Sequence, residues 1–296
     1  MRSIWAFCLA SALSLGDGSA CSSFKEPIEL DSSVECAAMN MLQARMETVL
    51  ASSKQKPWDV YWYLVGTNHK AGTILLRRLT GRMFYVLGAT YSCQVQFAGD
   101  WGLMTTDGMH NCSDSPNARI RFDKDLCPQS LLNLRGISKG AMRAVTMIRD
   151  PAVMLASAYC YHHRGEEYGL QPAPDRRPWP WPGIMSMGPA EGMAVLSDGM
   201  FGVLECMTGA VEIGGHDTLA VRYENISRSS EDFDRTVEQM ADFMFEDLIS
   251  PEERRQMVLY AQLEDMHRVT TKETDQHSND KDCEQEALSV LPSLKD

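Results

Sequence analysis

What the chain lacks narrows its chemistry before any motif is read. None of its nine cysteines forms a C-x-x-C pair, so the ligand spacing of the common zinc sites is missing. There is no internal repeat, which excludes a solenoid or propeller. Beyond the N-terminus no apolar run approaches the ~20 residues a membrane span needs. Positive charge is not in excess: the net charge is -12, the opposite of the basic balance usual in nucleic-acid binders. The one glycine-bracketed stretch that resembles a nucleoside-triphosphate loop, "GTNHKAGT" from Gly66 to Thr73, has no lysine after its second glycine. Lys70 stands two residues before Gly72, so the G-x-x-x-x-G-K-[ST] pattern is not met and a different anion is implied.

What is present fits one domain with insertions: 296 residues, 44% hydrophobic, enough for a sizeable core. Met1-Arg2, the apolar stretch Ile4 to Leu15 and the small residues ending at Ala20 form a signal-peptide pattern. Cys8 would leave with it. The other eight cysteines are even in number and scattered, which reads as disulfides in an oxidising compartment, with their pairing undetermined. Asn111-Cys112-Ser113 and Asn225-Ile226-Ser227 are glycosylation sequons. Charge is uneven along the chain: residues 54–181 hold 16 Lys+Arg against 10 Asp+Glu, whereas residues 229–296 hold 7 against 18. An anion site in the first half and a solvated acidic face in the second follow from that asymmetry.

Periodicity gives the element types. Ser32-x-x-Glu35 is a capping box ahead of an amphipathic helix reaching Leu50. Asp59 to Val65 is a β-branched and aromatic run between Pro57 and Gly66, a buried strand; the stretch from Thr73 to Leu87 is a helix interrupted or ended near Gly81. A second strand-to-helix unit runs from Met142 to Ile148, through Arg149-Asp150-Pro151, into a helix ending at His162-His163. Thr218 to Tyr223 is a third strand, followed by an amphipathic stretch, and Ser250-Pro251-Glu252-Glu253 opens a helix to about Met266. Alternating strands and helices imply a parallel α/β sheet. The Pro/Trp segment from Leu170 to Gly183 is a surface loop, either a substrate-side lid or an inert excursion, and the polar tail from Thr270 is expected to be partly mobile.

A loop leaving a parallel strand and entering a helix directs backbone N-H groups to the positive end of the helix dipole, an anion cradle. Arg149, at the end of the second strand, and Ser157, two turns into the next helix, offer another anion site at the same sheet edge. Two such sites suit a ligand with two separate anionic groups. Thr67 to Thr73 resembles the 5'-phosphosulfate loop of sulfotransferases, T-x-x-K-[SA]-G-T; "IRDPAVMLASAY" resembles that family's 3'-phosphate motif, and "VRYENI" its later R-Y-E-D-[LI] strand motif.

The resemblance implies a P-loop-like three-layer α/β fold and 3'-phosphoadenosine 5'-phosphosulfate (PAPS) as co-substrate, with no metal required. It implies that Lys70 stabilises charge on the leaving phosphate, and that Thr67, Ala71, Gly72, Thr73 and Ile74 form the 5' contact. Arg149 and Ser157 would hold the 3'-phosphate and Tyr223 would lie near the adenine. Two positions depart from the family: Ile74-Leu75 stands where Thr-Trp is frequent, so adenine packing differs, and Asn225 replaces an aspartate. The family's base is a His or Glu between the first two motifs; here that slot, Ala118 to Leu126, offers Asp123 and Asp125, with His110 further upstream, so Asp123 comes first and His110 second.

The division expected is a signal peptide (1–20), an N-terminal helical segment (21–56), a sulfotransferase α/β domain (57–269) and an acidic tail (270–296). The function expected is sulfuryl transfer to a hydroxyl or amine of an acceptor, a carbohydrate first, in the Golgi lumen or secreted, with no nucleic-acid partner and no stable membrane span. The alternatives are a binding protein that keeps the cradle without turnover and a P-loop nucleotide kinase.

Overall fold

A computed structural model describes residues 55–89, 97–99, 118–165, 183–268 and 280–291. Five parallel strands form one sheet: β1 (Trp62–Gly66), β2 (Phe97–Gly99), β3 (Ile120–Asp123), β4 (Met142–Ile148) and β5 (Thr218–Arg222), in the order β2-β3-β1-β4-β5. Side chains alternate along a strand, so β1 feeds two cores. Tyr63 and Val65 join Val145 and Met147 on one face; Leu64 joins Met142 and Ala144 on the other.

On the first face lie α2 (Thr73–Val86), α7 (Ser230–Phe245) and α8 (Pro251–Ala261), through Leu76, Leu79, Met83, Phe233, Val237 and Met257. The Tyr63 hydroxyl donates to the Met244 carbonyl at 3.1 Å, fixing the end of α7 to the central strand. On the second face lie α3 (Pro128–Ser138), α4 (Pro151–His163) and α5 (Pro189–Glu212). The architecture is therefore a three-layer, P-loop-like α/β fold with a central parallel sheet, as the alternation of elements implies. Because β1 lies between β3 and β4, the carboxyl ends of β1 and β4 meet at the topological switch point where such sheets bind ligands.

Several boundaries differ from the sequence reading. Asp59 and Val60 belong to a helical turn, α1 (Pro57–Val60), because Pro57 is preset for a first helical position and Asp59 accepts the Lys56 N-H at 3.1 Å. Gly81 neither breaks nor ends α2; it is buried within the helix. Tyr223 opens a turn, α6 (Tyr223–Ile226), rather than closing β5, and α8 stops at Ala261 before a 3-10 turn. Helix α5, 24 residues, is long and apolar enough to cross a membrane by length and composition alone. In this fold it packs one face on α4 and is tied to the start of α3 by the Cys127–Cys206 disulfide. The polar composition beyond Thr270 does not prevent order either: α9 (Lys281–Val290) packs on α4 and is bonded to it through Cys160–Cys283. The signal segment, the N-terminal helix and the Pro/Trp loop as far as residue 182 lie outside the described residues.

Candidate functional site

The loop between β1 and α2 is held by its backbone. Thr67 N-H donates to the Asp123 carbonyl (3.0 Å) and Leu126 N-H to the Thr67 carbonyl (2.9 Å), which joins the loop to the end of β3. Gly66 is required there by close approach: a Cβ would come within 2.5 Å of Leu126 Cδ2. Thr67 and Asn68 are buried, and the Asn68 carbonyl gathers three donors: Ala71 N-H (3.0 Å), Thr73 Oγ1 (3.3 Å) and Thr67 Oγ1 (3.4 Å). The Ala71 amide, expected to face the ligand, thus closes the loop.

Lys70 (φ 62°) and Gly72 (φ 96°) both take left-handed backbone, the class of conformation from which anion-binding nests are built. Gly72 is the N-cap of α2 and no side chain caps that end. Leu76 N-H donates to the Gly72 carbonyl (2.9 Å), so the amides of Thr73 and Ile74 precede the helix's own hydrogen-bond ladder. The Lys70 ammonium sits 3.8 Å from the centroid of the Tyr161 ring on α4, a cation–π contact.

The neighbouring strand supplies Arg149, only 8% exposed. Its Nη1 donates to the Lys70 carbonyl at 3.0 Å, its guanidinium lies 4.5 Å from the centroid of the Tyr223 ring, and Nη2 is 3.6 Å from Glu284 Oε1 on α9. Tyr223 also borders Gly72, where an added Cβ would stand 2.8 Å from its Cδ2. Burial is the main cause that raises the Tyr223 phenol above its ordinary range. Asp150 caps α4, accepting from Ala152 and Val153 N-H (2.8 and 3.2 Å), while its own N-H donates to Glu224 Oε1 at 2.8 Å. Ser157 follows in α4, fully buried.

Asp123 ends β3 in register with Gly66. Its Oδ1 accepts Asp125 N-H (3.0 Å) and its Oδ2 accepts Ser130 Oγ (2.6 Å). His110 lies outside the described residues. Sequence reasoning passed over His69 and His162, whose Nε2 atoms are 3.1 Å apart with rings stacked at 14°. Burial first, then the charges of His162 and Lys70, lower His69 to about 3, so its imidazole is neutral at physiological pH. The signal for this side of α4 was available: Ser157 and Tyr161 are four residues apart, hence on one helical face, and His162 adjoins it. Among the described residues no group of three or more His, Cys, Asp or Glu is placed to hold a metal ion.

Fold and site together define a class: a parallel α/β protein with a P-loop-like strand-to-helix loop at its central strand, bonded to an arginine from the adjacent strand. No family model matches the chain, and no curated protein does. Among solved structures it is similar to mouse sulfotransferase SULT7A1 complexed with PAP, at 13% identity and a TM-score of 0.42, over 76% of this chain and 75% of that one. The fold assignment rests on the strand order of this chain itself.

Proposed function

We propose that the protein is a sulfotransferase that moves the sulfuryl group of PAPS to a hydroxyl or amine of an acceptor. The observation that carries this reading is the 3.0 Å bond from Arg149 Nη1 to the Lys70 carbonyl, which joins two cationic loops at one sheet edge. The residues fit a ligand with two anionic groups. Arg149 Nε is a buried donor with no hydrogen-bond partner among the described residues, and α2 begins without a side-chain cap.

In this reading the amides of Gly72, Thr73 and Ile74 bind the 5' group, while Thr67 and Ala71 hold the loop's shape through Asn68. Lys70 places its ammonium against charge that grows on the oxygen between phosphorus and sulfur as that S–O bond breaks. Arg149 and Ser157 hold the 3'-phosphate, and Tyr223 packs by the adenine. The acceptor oxygen or nitrogen forms the new bond to sulfur and loses its proton to Asp123, with His110 as second choice. The products are the sulfated acceptor and 3'-phosphoadenosine 5'-phosphate. Two disulfides, Cys127–Cys206 and Cys160–Cys283, fit an oxidising compartment. The Golgi lumen or the exterior, with a carbohydrate acceptor, is the setting we favour.

Calorimetric titration with 3'-phosphoadenosine 5'-phosphate beside magnesium ATP tests the reading. Tight binding of the bisphosphate is the expected result; binding of ATP alone would move the assignment to a nucleotide kinase. A second reading, a binding protein without turnover, is favoured by one observation: both oxygens of Asp123 already accept hydrogen bonds. Sulfate transfer to any acceptor would exclude it.

A further inference from the structure

The C-terminal helix reaches the anion site. Asp280 caps α9 by accepting Cys283 N-H at 3.0 Å, and Asp282 and Glu284 in its first turn complement the helix dipole. Cys283 binds α9 covalently to α4 through Cys160, 123 residues earlier in the chain. One turn further Ala287 is fully buried, with Leu288 and Leu291 packed on the same cluster, which also contains Ala71 of the anion loop. Helical spacing puts Glu284 on this inward face, three and four residues from Ala287 and Leu288. Its side chain retains 15% exposure and that of Arg149 7%, so the two charges face each other largely away from water.

The pairing is a poor one by hydrogen-bond geometry. Glu284 Oε1 stands 3.6 Å from Arg149 Nη2, beyond hydrogen-bond range, and Oε1 is buried without a hydrogen-bond partner. Arg149 Nε is in the same condition. A buried ion pair without hydrogen bonds recovers little of its desolvation cost. A phosphate monoester offers three acceptor oxygens and up to two charges, and binds a guanidinium through parallel short bonds. It would satisfy Nε as well as Nη2, which a single carboxylate at this distance does not.

We propose that α9 is a strap carrying an internal competitor: Glu284 occupies the edge of Arg149 that a phosphate group takes, and ligand binding displaces it. This rests on reading Arg149 as the 3'-phosphate contact. The Cys160–Cys283 bond keeps the carboxylate at high effective concentration against Arg149, so the resting site is closed by its own chain.

The test is titration of 3'-phosphoadenosine 5'-phosphate into the full chain, its Glu284→Gln variant, the Cys160→Ser/Cys283→Ser double variant and the three substitutions combined. Glutamine keeps the shape and removes the charge, so E284Q should bind the bisphosphate about tenfold more tightly, the gain from taking a like charge away from the phosphate's edge of Arg149. Adenosine 5'-phosphate, which lacks the 3' group and leaves the pair intact, should bind both forms equally. Releasing the strap should also tighten binding, and E284Q should then add less than it adds in the tethered protein. If the cysteine variants do not fold, E284Q alone decides. Bisphosphate binding that E284Q leaves unchanged or weakens overturns the strap and spares the sulfotransferase reading. An equal gain for adenosine 5'-phosphate also overturns it, because the effect would then be general charge. Failure of every form to bind the bisphosphate overturns both.

Discussion

Two strand-to-helix junctions lie side by side at the carboxyl edge of the sheet and solve the same problem differently. At the junction of β4 and α4, Asp150 fills the helix N-terminus with its own carboxylate and Pro151 occupies the first helical position. At the junction of β1 and α2 no side chain caps the helix, and two left-handed residues, Lys70 and Gly72, turn the loop. At the capped junction the first helical amides are taken by Asp150. The uncapped one has no side-chain partner from its N-cap residue, and its left-handed lysine stores strain of about 1–2 kcal/mol. On the proposed reading, a sheet edge with two helix ends binds one anionic group through backbone amides and the other through side chains.

The contrast breaks most completely at Gly72. Gly72→Ala would force a side chain into positive φ and place its Cβ 2.5 Å from Met147 Sδ and 2.8 Å from Tyr223 Cδ2. A stability loss of about 2–4 kcal/mol is expected in denaturant melts, together with loss of bisphosphate binding. Lys70→Ala separates charge from backbone. Transfer should fall by about 10²–10³-fold, the worth of one oriented donor at a developing negative charge. Its melting temperature should change little, because the contact with Tyr161 is worth only about 0.5–1 kcal/mol at a partly exposed position. Parallel loss of folding would assign Lys70 to structure.

How much of this was legible depended on whether a signal was local. The strand Met142–Ile148 and the helix Pro151–His163 fall where the sequence places them, because Asp150-Pro151 announces the helix start; the amphipathic stretch after β5 forms the helix Ser230–Phe245, capped by Ser229. The loop and Arg149 were legible for the same reason: spacing along the chain is the information. Helix α5 was not: four glycines lie within its 24 residues, and glycine is a weak helix former. At Gly192 the missing side chain allows close contact, since a Cβ there would lie 2.4 Å from Tyr159. The acidic tail hid α9 because its order comes from Cys160 and the α4 surface, neither near it in sequence. His162 was signalled only by its place beside the Ser157–Tyr161 face of α4, whereas Glu284 reaches the site by tertiary packing alone and no spacing rule within the chain points to it.

The histidine pair sharpens the comparison on the side of the uncapped loop. With its folded-state value lowered to about 3 by burial, His69 takes up a proton in the unfolded chain well before it does in the folded one. Stability contributed this way is full above the unfolded value near 6.5 and declines as pH falls toward 3. His69→Gln should remove that decline, an effect on the order of 1 kcal/mol at pH 5.5 from linkage alone, read from chemical denaturation at pH 7.5 and 5.5. An unchanged difference between the two pH values would assign the acid sensitivity to other groups.

The capped junction gives the smallest effect and the cleanest control. Asp150 accepts two amides at the start of α4, so Asp150→Ala should cost about 1 kcal/mol, the usual worth of an N-cap. The Asp150 N-H bond to Glu224 uses backbone and survives the substitution, which keeps β4 and β5 aligned at their carboxyl ends. Arg149 therefore retains its bond to the Lys70 carbonyl, and bisphosphate affinity should change by less than about threefold while the melt shifts. If affinity instead falls with stability, the aspartate is a positioning residue for Arg149 and the two junctions act as one unit. If affinity rises, the newly uncapped end of α4 has become a second anion site, and capping alone decides which junction binds.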